Sequence, residues 1–330
     1  MSNKLIMMMG IPASGKSTFA KSLKEKMEKV VLLSSDDMRE ELFGNREDNE
    51  HNAELFEELH RRAKKALAEG YDVIYDATNI NSKRRIGFLK QLPKGVEKEL
   101  HFFNKDIYSC FSNDYSRGYS VGEEVIDRMY KCLQIPFAHE KWTNIIVHNE
   151  EKVHNEIGEL LSAKAKEMSK RLFSYEEFLE VLKGIDITGE IGEMIMMPQD
   201  NPFHVFTVDK HSYFVYTHIF EHYDKEDRDD LIIASMFHDI GKPYCKEYDT
   251  YGRYAKYYGH DNVGGQMTLR LLMRYGFTQE RALKIAQLVA LHMRMTFIKD
   301  FEADRKLEKL VGSETFIKLN YIRQADISAK

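Results

Sequence analysis

The sequence has few cysteines and no long apolar run. Its three cysteines, Cys110, Cys132 and Cys245, show no C-x-x-C spacing, and they are interpreted as reduced thiols of a cytoplasmic protein. No long apolar segment follows the methionine-rich start, so neither a signal peptide nor a membrane span is predicted. The net charge of −5 is not the basic composition common among nucleic-acid-binding domains, and a polyanion would therefore need a local patch.

The 330 residues are enough for two domains with separate cores, and a hydrophobic content of 43% is ordinary for a globular protein. Residues 1–150 alternate short apolar runs with helical patterns, which predicts an α/β domain with a parallel sheet flanked by helices. A helical connector is predicted over 151–173, followed by an all-helical domain over 174–330. The predicted strands are 4–9, 30–34, 72–76, 96–103 and 144–148.

A phosphate-binding P-loop is predicted directly after the first strand. Residues 10–18 read GIPASGKST, which matches the pattern G-x-x-x-x-G-K-[ST] between a strand and a helix. In this pattern the lysine reaches the β and γ phosphates and the following hydroxyl binds Mg²⁺. The sequence therefore predicts binding of ATP or another nucleoside triphosphate together with Mg²⁺. The residues assigned to the nucleotide are Gly10, Ser14, Gly15, Lys16, Ser17 and Thr18, with Lys16 also catalytic and Ser17 also a metal ligand.

Polar motifs follow two other predicted strands: S-S-D-D-M-R at 34–39 and D-A-T-N at 76–79. Chemistry in a parallel sheet lies at the carboxyl ends of the strands, so both motifs are expected beside the P-loop. A third motif, N-D-Y-S-R-G at 113–118, places an arginine before a helix. This order of P-loop, D-D-x-R, D-T-N-like motif and lid arginine resembles the phage-type polynucleotide 5′-kinases over about residues 4–148.

The resemblance implies roles for four further residues. Asp36 would be the general base for the attacking hydroxyl, and Arg39 would hold a phosphate of the acceptor strand. Arg117 would be a lid residue that neutralises charge on the transferred phosphoryl group. Asp76 would hold the water shell of Mg²⁺ or contact the acceptor, since D-A-T-N departs from D-T-N. The residues alone leave open that Asp36 is a helix N-cap and Arg117 a solvated loop side chain.

Histidines are concentrated in the second half of the chain, where seven of the thirteen fall between His204 and His292. One belongs to an adjacent His-Asp pair in F-H-D-I-G-K, residues 237–242, at the end of an apolar helix. An imidazole and a carboxylate directed into one site are a natural pair of metal ligands. With His211 before this pair and Asp326 far beyond it, the pattern resembles the HD phosphohydrolase family over about residues 198–330.

That resemblance implies a site for one or two divalent transition metals, among Mn, Co, Ni, Zn, Cu and Fe. Asp239 would bridge the metals and act in catalysis, and Lys242 would pair with a phosphate oxygen. His218 and His222 are interpreted as surface residues, and His204 has no assigned role. The implied ligands are His211, His238, Asp239 and Asp326 for one metal, with His260 and His292 adding ligands for a second.

Together the two resemblances predict a bifunctional enzyme that heals the ends of single-stranded RNA or DNA. The first domain would phosphorylate 5′-hydroxyl ends, and the second would remove 2′,3′-cyclic, 2′- or 3′-phosphates. Because a ligase needs a 5′-phosphate and a free 3′-hydroxyl, a functional link to a ligase is expected. Two alternatives stay open: a small-molecule kinase, such as a nucleoside kinase, fused to a nucleotidase, or a kinase regulated by a metal-binding sensor domain.

Overall fold

Parallel strands form where the sequence has short apolar runs. The computed structural model describes residues 3–48, 50–149, 153–296 and 301–329, and the chain divides into two units, Met1–Asn149 and Glu150–Lys330. Each predicted strand is confirmed, the fourth beginning one residue later than expected. The strands of the first unit are β1 (Lys4–Met9), β2 (Val30–Ser34), β3 (Asp72–Asp76), β4 (Glu97–Phe103) and β5 (Asn144–His148).

The strand order β2-β3-β1-β4-β5 places β1 in the middle of the sheet, with parallel pairing throughout. Residues 5–9 of β1 are buried, as expected of a parallel strand that is covered on both faces. Strand β1 has β3 on one side and β4 on the other, so the order of the strands reverses at β1. Such a reversal leaves a crevice at the carboxyl ends of these strands. The surrounding helices are α1 (Lys16–Glu25), α2 (Ser35–Phe43), α3 (Asn52–Ala68), α4 (Ser82–Leu89), α5 (Ile107–Ser116) and α6 (Glu123–Cys132).

The second unit is helical. The helix over residues 260–274 packs along the helix over 279–296, and the helix over 208–222 packs against those over 228–237 and 313–328. One short antiparallel hairpin, which the sequence analysis did not predict, interrupts the helices. No helix of the described ranges combines the length and the apolar character needed to cross a membrane. The elements are α7 (Asn155–Met168), α8 (Tyr175–Ile185), α9 (Val208–His222), α10 (Arg228–Phe237), α11 (Lys242–Cys245), β6 (Glu247–Tyr248), β7 (Ala255–Lys256), α12 (His260–Arg274), α13 (Gln279–Thr296), α14 (Phe301–Val311) and α15 (Ser313–Ser328).

Helix α7 occupies most of the segment that the sequence analysis treated as a connector, yet it packs within the second unit. Leu161, Ala165 and Met168 on this helix are fully buried. The contact with the end of α12 is so close that a Cβ at Gly158 would lie 1.9 Å from the carbonyl oxygen of Tyr275. Residues 155–168 therefore belong to the second unit rather than lying between two domains.

This packing predicts that Gly158→Ala lowers the free energy of unfolding of the second unit by about 1–3 kcal/mol, because the added methyl group overpacks a rigid contact. Gly184→Ala on α8 is the matched control, since its new Cβ would meet a side-chain carbon at an ordinary 3.7 Å. Urea unfolding followed by far-UV circular dichroism reports the helices of both units, whereas fluorescence of the single tryptophan, Trp142, reports the first unit. If Gly158→Ala left the urea midpoint measured by circular dichroism unchanged, α7 would not be part of the core of the second unit.

Candidate functional sites

The P-loop joins β1 to α1 in a conformation that only glycine fits at its start. A Cβ at Gly10 would lie 2.8 Å from the carbonyl oxygen of Phe103, and the Gly10 N–H donates to the Thr78 carbonyl at 3.0 Å. Gly15, with φ 98°, precedes the first turn of α1. The loop therefore brings the unpaired N–H groups of a helix N-terminus to the carboxyl edge of the sheet, where they can bind phosphate.

Lys16 and Asp76 form the buried centre of this edge. The Lys16 ammonium donates to the Ile11 carbonyl at 2.7 Å, and burial lowers its pKa against the opposing attraction of Asp76. Burial likewise raises the pKa of Asp76, although a hydrogen bond from Ser17 and the charge of Lys16 oppose the rise. Asp76 thus lies beside Ser17, the residue predicted to bind Mg²⁺.

Asp36 and Arg39 lie on α2, where the sequence after β2 turns directly into a helix. The Ser34 hydroxyl accepts the Asp37 N–H at 3.4 Å and is the N-cap, so the N-cap alternative for Asp36 is wrong. The Asp36 side chain is 61% exposed, and its Oδ1 accepts a hydrogen bond from Arg39 Nη1 at 2.9 Å. Arg39 also donates to Asn52 Oδ1 at 2.9 Å, which holds the guanidinium in a fixed position.

Arg117 follows α5 in a turn that a buried aspartate organises. Asp114 forms an ion pair with Arg117 and accepts hydrogen bonds from the Ser120 hydroxyl at 2.6 Å and the Gly122 N–H at 3.0 Å. The sequence analysis gave Asp114 no role, although it stands three residues before Arg117, within the motif at 113–118. Asp114 therefore fixes the turn that presents Arg117.

These side chains line one cleft of about 630 Å³ at the carboxyl edge of the sheet. The motifs after β2 and β3 lie near the P-loop, as expected for the ends of parallel strands, and the arginine after α5 lies in the same cleft. The residues singled out from the sequence that line the cleft are Gly15, Lys16, Ser17, Thr18, Asp36, Arg39, Asp76 and Arg117.

In the second unit, six buried side chains from five places in the chain converge. They form two groups, each with its potential ligand atoms within 4.8 Å of one another. The first group contains His211 of α9, His238 after α10 and Asp326 of α15. The second group contains Asp239, His260 at the start of α12 and His292 of α13. All six residues implied as ligands by the sequence therefore lie together.

Main-chain carbonyls orient all four imidazoles. A carbonyl can only accept, so each Nδ1 carries the hydrogen and the Nε2 of each ring is left to face the centre. Burial and the nearby His260 lower the pKa of His292, which keeps that ring neutral. The Nδ1 atoms donate to the carbonyl oxygens of Ala329 (from His211, 3.2 Å), Ser235 (from His238, 2.8 Å), Tyr257 (from His260, 2.7 Å) and Val289 (from His292, 2.6 Å).

Asp239 belongs to the second group, but its two carboxylate oxygens face different groups. Its Oδ2 is 3.3 Å from His238 Nε2 and 3.6 Å from His211 Nε2. Its Oδ1 is 3.4 Å from His260 Nε2 and 3.8 Å from His292 Nε2. Within the described part of the chain, His238 Nε2 is buried without a hydrogen-bond partner. This donor set fits two divalent metal ions with Asp239 between them.

Two family descriptions match the chain. The AAA domain matches residues 5–136, which contain the P-loop cleft, and the HD domain matches residues 208–329, which contain the six candidate ligands. The chain joins an AAA domain to an HD domain. The order agrees with the order of the two predicted domains.

One relative of the chain is an L-seryl-tRNA(Sec) kinase of Methanococcus maripaludis, 30% identical over 168 residues. The match covers 46% of this chain, and the chain spans 62% of the length of that kinase. Similar solved structures include the Pnkp1/Rnl/Hen1 RNA repair complex, with 20% identity, a TM-score of 0.36 and coverage of 38% of this chain and 42% of that one. A gluconokinase from Sinorhizobium meliloti 1021 has 13% identity and a TM-score of 0.32. The match covers 44% of this chain and 82% of the gluconokinase chain.

Two further residues of the HD domain contact the metal-ligand cluster. The Lys242 ammonium is 2.6 Å from Asp239 Oδ2 and donates to Gln199 Oε1 at 2.7 Å. Although burial alone would raise the pKa of Asp239, Lys242 and His238 hold it well below its usual range. The ring of His204 packs edge-on against His211 at 5.2 Å, and burial together with Lys242 lowers the pKa of His204 to about 4. Sequence reasoning assigned His204 no role, because its position before α9 matched no ligand motif.

The bridging position of Asp239 in the HD domain predicts that Asp239→Ala removes most bound divalent metal, whereas His292→Ala removes only part of it. His218→Ala is the matched control: His218 lies on α9 with His211, but it stacks on His222 at 4.0 Å and belongs to neither ligand group. The test is the metal content per chain, measured by plasma mass spectrometry after saturation with Mn²⁺ and desalting. It should be lowest in Asp239→Ala, intermediate in His292→Ala and highest in wild type and the control. Equal metal content in wild type and Asp239→Ala would exclude the bridging role.

Proposed function

We propose that the chain is a bifunctional enzyme that heals nucleic-acid ends. Its AAA domain transfers the γ-phosphoryl group of a nucleoside triphosphate to a 5′-hydroxyl end. Its HD domain removes 2′,3′-cyclic, 2′- or 3′-phosphates. The observation that carries the proposal is the position of Arg39, a restrained cation beside the candidate base Asp36 and in the same cleft as the P-loop. The products, a 5′-phosphate and a free 3′-hydroxyl, are the ends that a ligase joins.

In the kinase reaction, the P-loop N–H groups and Lys16 hold the β and γ phosphates. The Ser17 hydroxyl, with Asp76 beside it, would hold Mg²⁺, which would supply positive charge to the phosphates. Asp36 is exposed to the cleft. It accepts the proton of the attacking 5′-hydroxyl as the new P–O bond forms and the bond to the leaving nucleoside diphosphate breaks. Arg117 neutralises the charge of the transferred group once a substrate replaces part of its pairing with Asp114.

In the phosphohydrolase reaction, four oriented imidazoles and two carboxylates hold the metal ions. Nitrogen-rich sites of this kind suit Mn, Fe, Co, Ni, Cu or Zn better than Mg. When bound, the metal ions activate the phosphate and a water molecule for hydrolysis. Lys242, already held by Gln199, supplies a positive charge for a phosphate oxygen next to Asp239. The side chains of this site are buried, and the low local dielectric strengthens each of these interactions.

A second candidate acceptor follows from the 30% identity with a seryl-tRNA kinase, which concerns less than half of this chain. A kinase of that kind would use the hydroxyl of a small group instead of a nucleic-acid end. It would need the P-loop and Asp36 but no acceptor-phosphate contact at Arg39. Phosphate transfer from labelled ATP to 5′-hydroxyl oligonucleotides, free nucleosides and seryl-tRNA distinguishes the acceptors.

The two sites share no residues, and this predicts that their activities can be lost separately. Asp36→Asn should lower the kinase kcat by about 10²–10⁴-fold, the usual contribution of a general base, while phosphate release from a 3′-phosphate oligonucleotide stays unchanged. Asp239→Ala should have the opposite pattern. Both activities are measured on the same preparations of the full chain, and circular dichroism checks folding. Loss of both activities in a folded Asp36→Asn protein would overturn the assignment.

The acceptor contact predicts that Arg39→Ala raises the KM for 5′-hydroxyl oligonucleotides by about 10- to 150-fold, the equivalent of losing a charge-assisted contact of about 1.5–3 kcal/mol. The KM for ATP should not change. Arg61→Ala is the matched control, because Arg61 pairs with Glu58 three residues earlier, as Arg39 pairs with Asp36.

Steady-state kinetics with a free nucleoside as second acceptor separates two explanations of such a defect. If Arg39 only orients Asp36, the kcat for the nucleoside falls as much as that for the oligonucleotide. If Arg39 binds an acceptor phosphate, only the oligonucleotide is affected. If Arg39→Ala changed the kinetic constants of neither acceptor, the small-molecule kinase would be favoured.

A further inference from the structure

The β6–β7 hairpin of the HD domain carries an unusual number of exposed tyrosines. Residues 248–260 read YDTYGRYAKYYGH, which places five tyrosines just before the candidate ligand His260. Tyr251 is 78% exposed and Tyr258 is 73% exposed. Tyr248 and Tyr254 are half exposed. Large aromatic rings grouped in water are uncommon unless they contact a ligand or a partner.

The hairpin is anchored directly to the metal-ligand cluster. The Tyr257 hydroxyl donates to the Gln199 carbonyl at 2.5 Å, and the Tyr257 carbonyl accepts the Nδ1–H of His260 at 2.7 Å. Gln199 in turn holds Lys242 through its side-chain oxygen. Tyr258 therefore directly follows a residue whose main chain orients the candidate ligand His260.

Cations accompany the rings. The Arg253 guanidinium lies 5.0 Å from the centre of the Tyr251 ring, and Lys256 is exposed on β7. Asp249, the acid of the turn, accepts hydrogen bonds from main-chain N–H groups of the same turn. Exposed ring faces beside exposed cations are the chemistry of single-strand recognition, in which bases stack on aromatics and phosphates contact cations.

We propose that residues 248–258, the tyrosine hairpin, form a stacking platform that binds the bases of a single-stranded nucleic acid next to its phosphorylated end. The inference rests on the phosphohydrolase function proposed above and names its substrate class: a polynucleotide end rather than a mononucleotide. Stacking on tyrosine is tolerant of sequence, since every base has a ring face. The platform therefore selects for a strand and not for a particular base.

The test measures binding separately from catalysis. A short, fluorescein-labelled single-stranded RNA with phosphates at both ends is titrated with metal-free full-length chain, and anisotropy gives the Kd. Tyr251→Ala and Tyr258→Ala should each weaken binding by about fivefold or more, whereas Tyr251→Phe and Tyr258→Phe stay within about twofold of wild type. Tyr108→Ala, at a 68% exposed tyrosine of the AAA domain, is the control and should bind as wild type does.

Kinetics with bound metal completes the test. The alanine variants should raise the KM for a 3′-phosphate oligonucleotide and leave hydrolysis of p-nitrophenyl phosphate unchanged. Oligonucleotide binding unchanged in the alanine variants, with wild type active as a phosphatase, would overturn the platform alone. A wild type that binds the RNA through the tyrosines but releases no phosphate would overturn the proposed function instead. A change of oligomeric state in the alanine variants without a change in RNA binding would make the hairpin a protein contact and also overturn the platform.

Discussion

The carboxylate of Asp239 is buried among helices, and a buried anion is costly unless positive or hydrogen-bonding groups surround it. The second unit provides such groups from every side: an ammonium from the start of α11 and imidazoles from α9, α12, α13 and the end of α10. The helices that contribute them pack against one another in the core. The groups that offset the cost of burying this carboxylate are therefore the same groups that form the candidate metal centre.

The two units offer phosphate groups different partners. In the AAA domain the partners are main-chain N–H groups, one buried ammonium and oxygen atoms suited to Mg²⁺. In the HD domain the candidate ligands are imidazole nitrogens and carboxylates, which suit transition metals rather than phosphate itself, and Lys242 is the cation beside them. The chain therefore carries two sites whose donor atoms suit different classes of cation.

Local patterns in the sequence predicted the sheet and much of both sites. Buried parallel strands are continuous apolar runs, and the motifs that follow them meet because strand ends meet. The role of Asp114 was not predictable in this way, since it depends on a turn that folds back on the aspartate. Nor was the packing of α7, whose contact at Gly158 joins positions 117 residues apart in the sequence (275 minus 158). The hairpin has strands of two residues, too short for any alternation to appear.

The hydrogen bonds from the four Nδ1 atoms to main-chain carbonyls have a consequence for metal selection. Because main-chain carbonyls hold the four rings, the direction of each Nε2 atom is set by the backbone of the unit. A site of nitrogen and oxygen donors ranks divalent ions by their intrinsic affinities, with copper and zinc above manganese and iron. The ion found in the protein will then reflect the supply of free metals in the cell or growth medium as much as the chemistry that the enzyme performs.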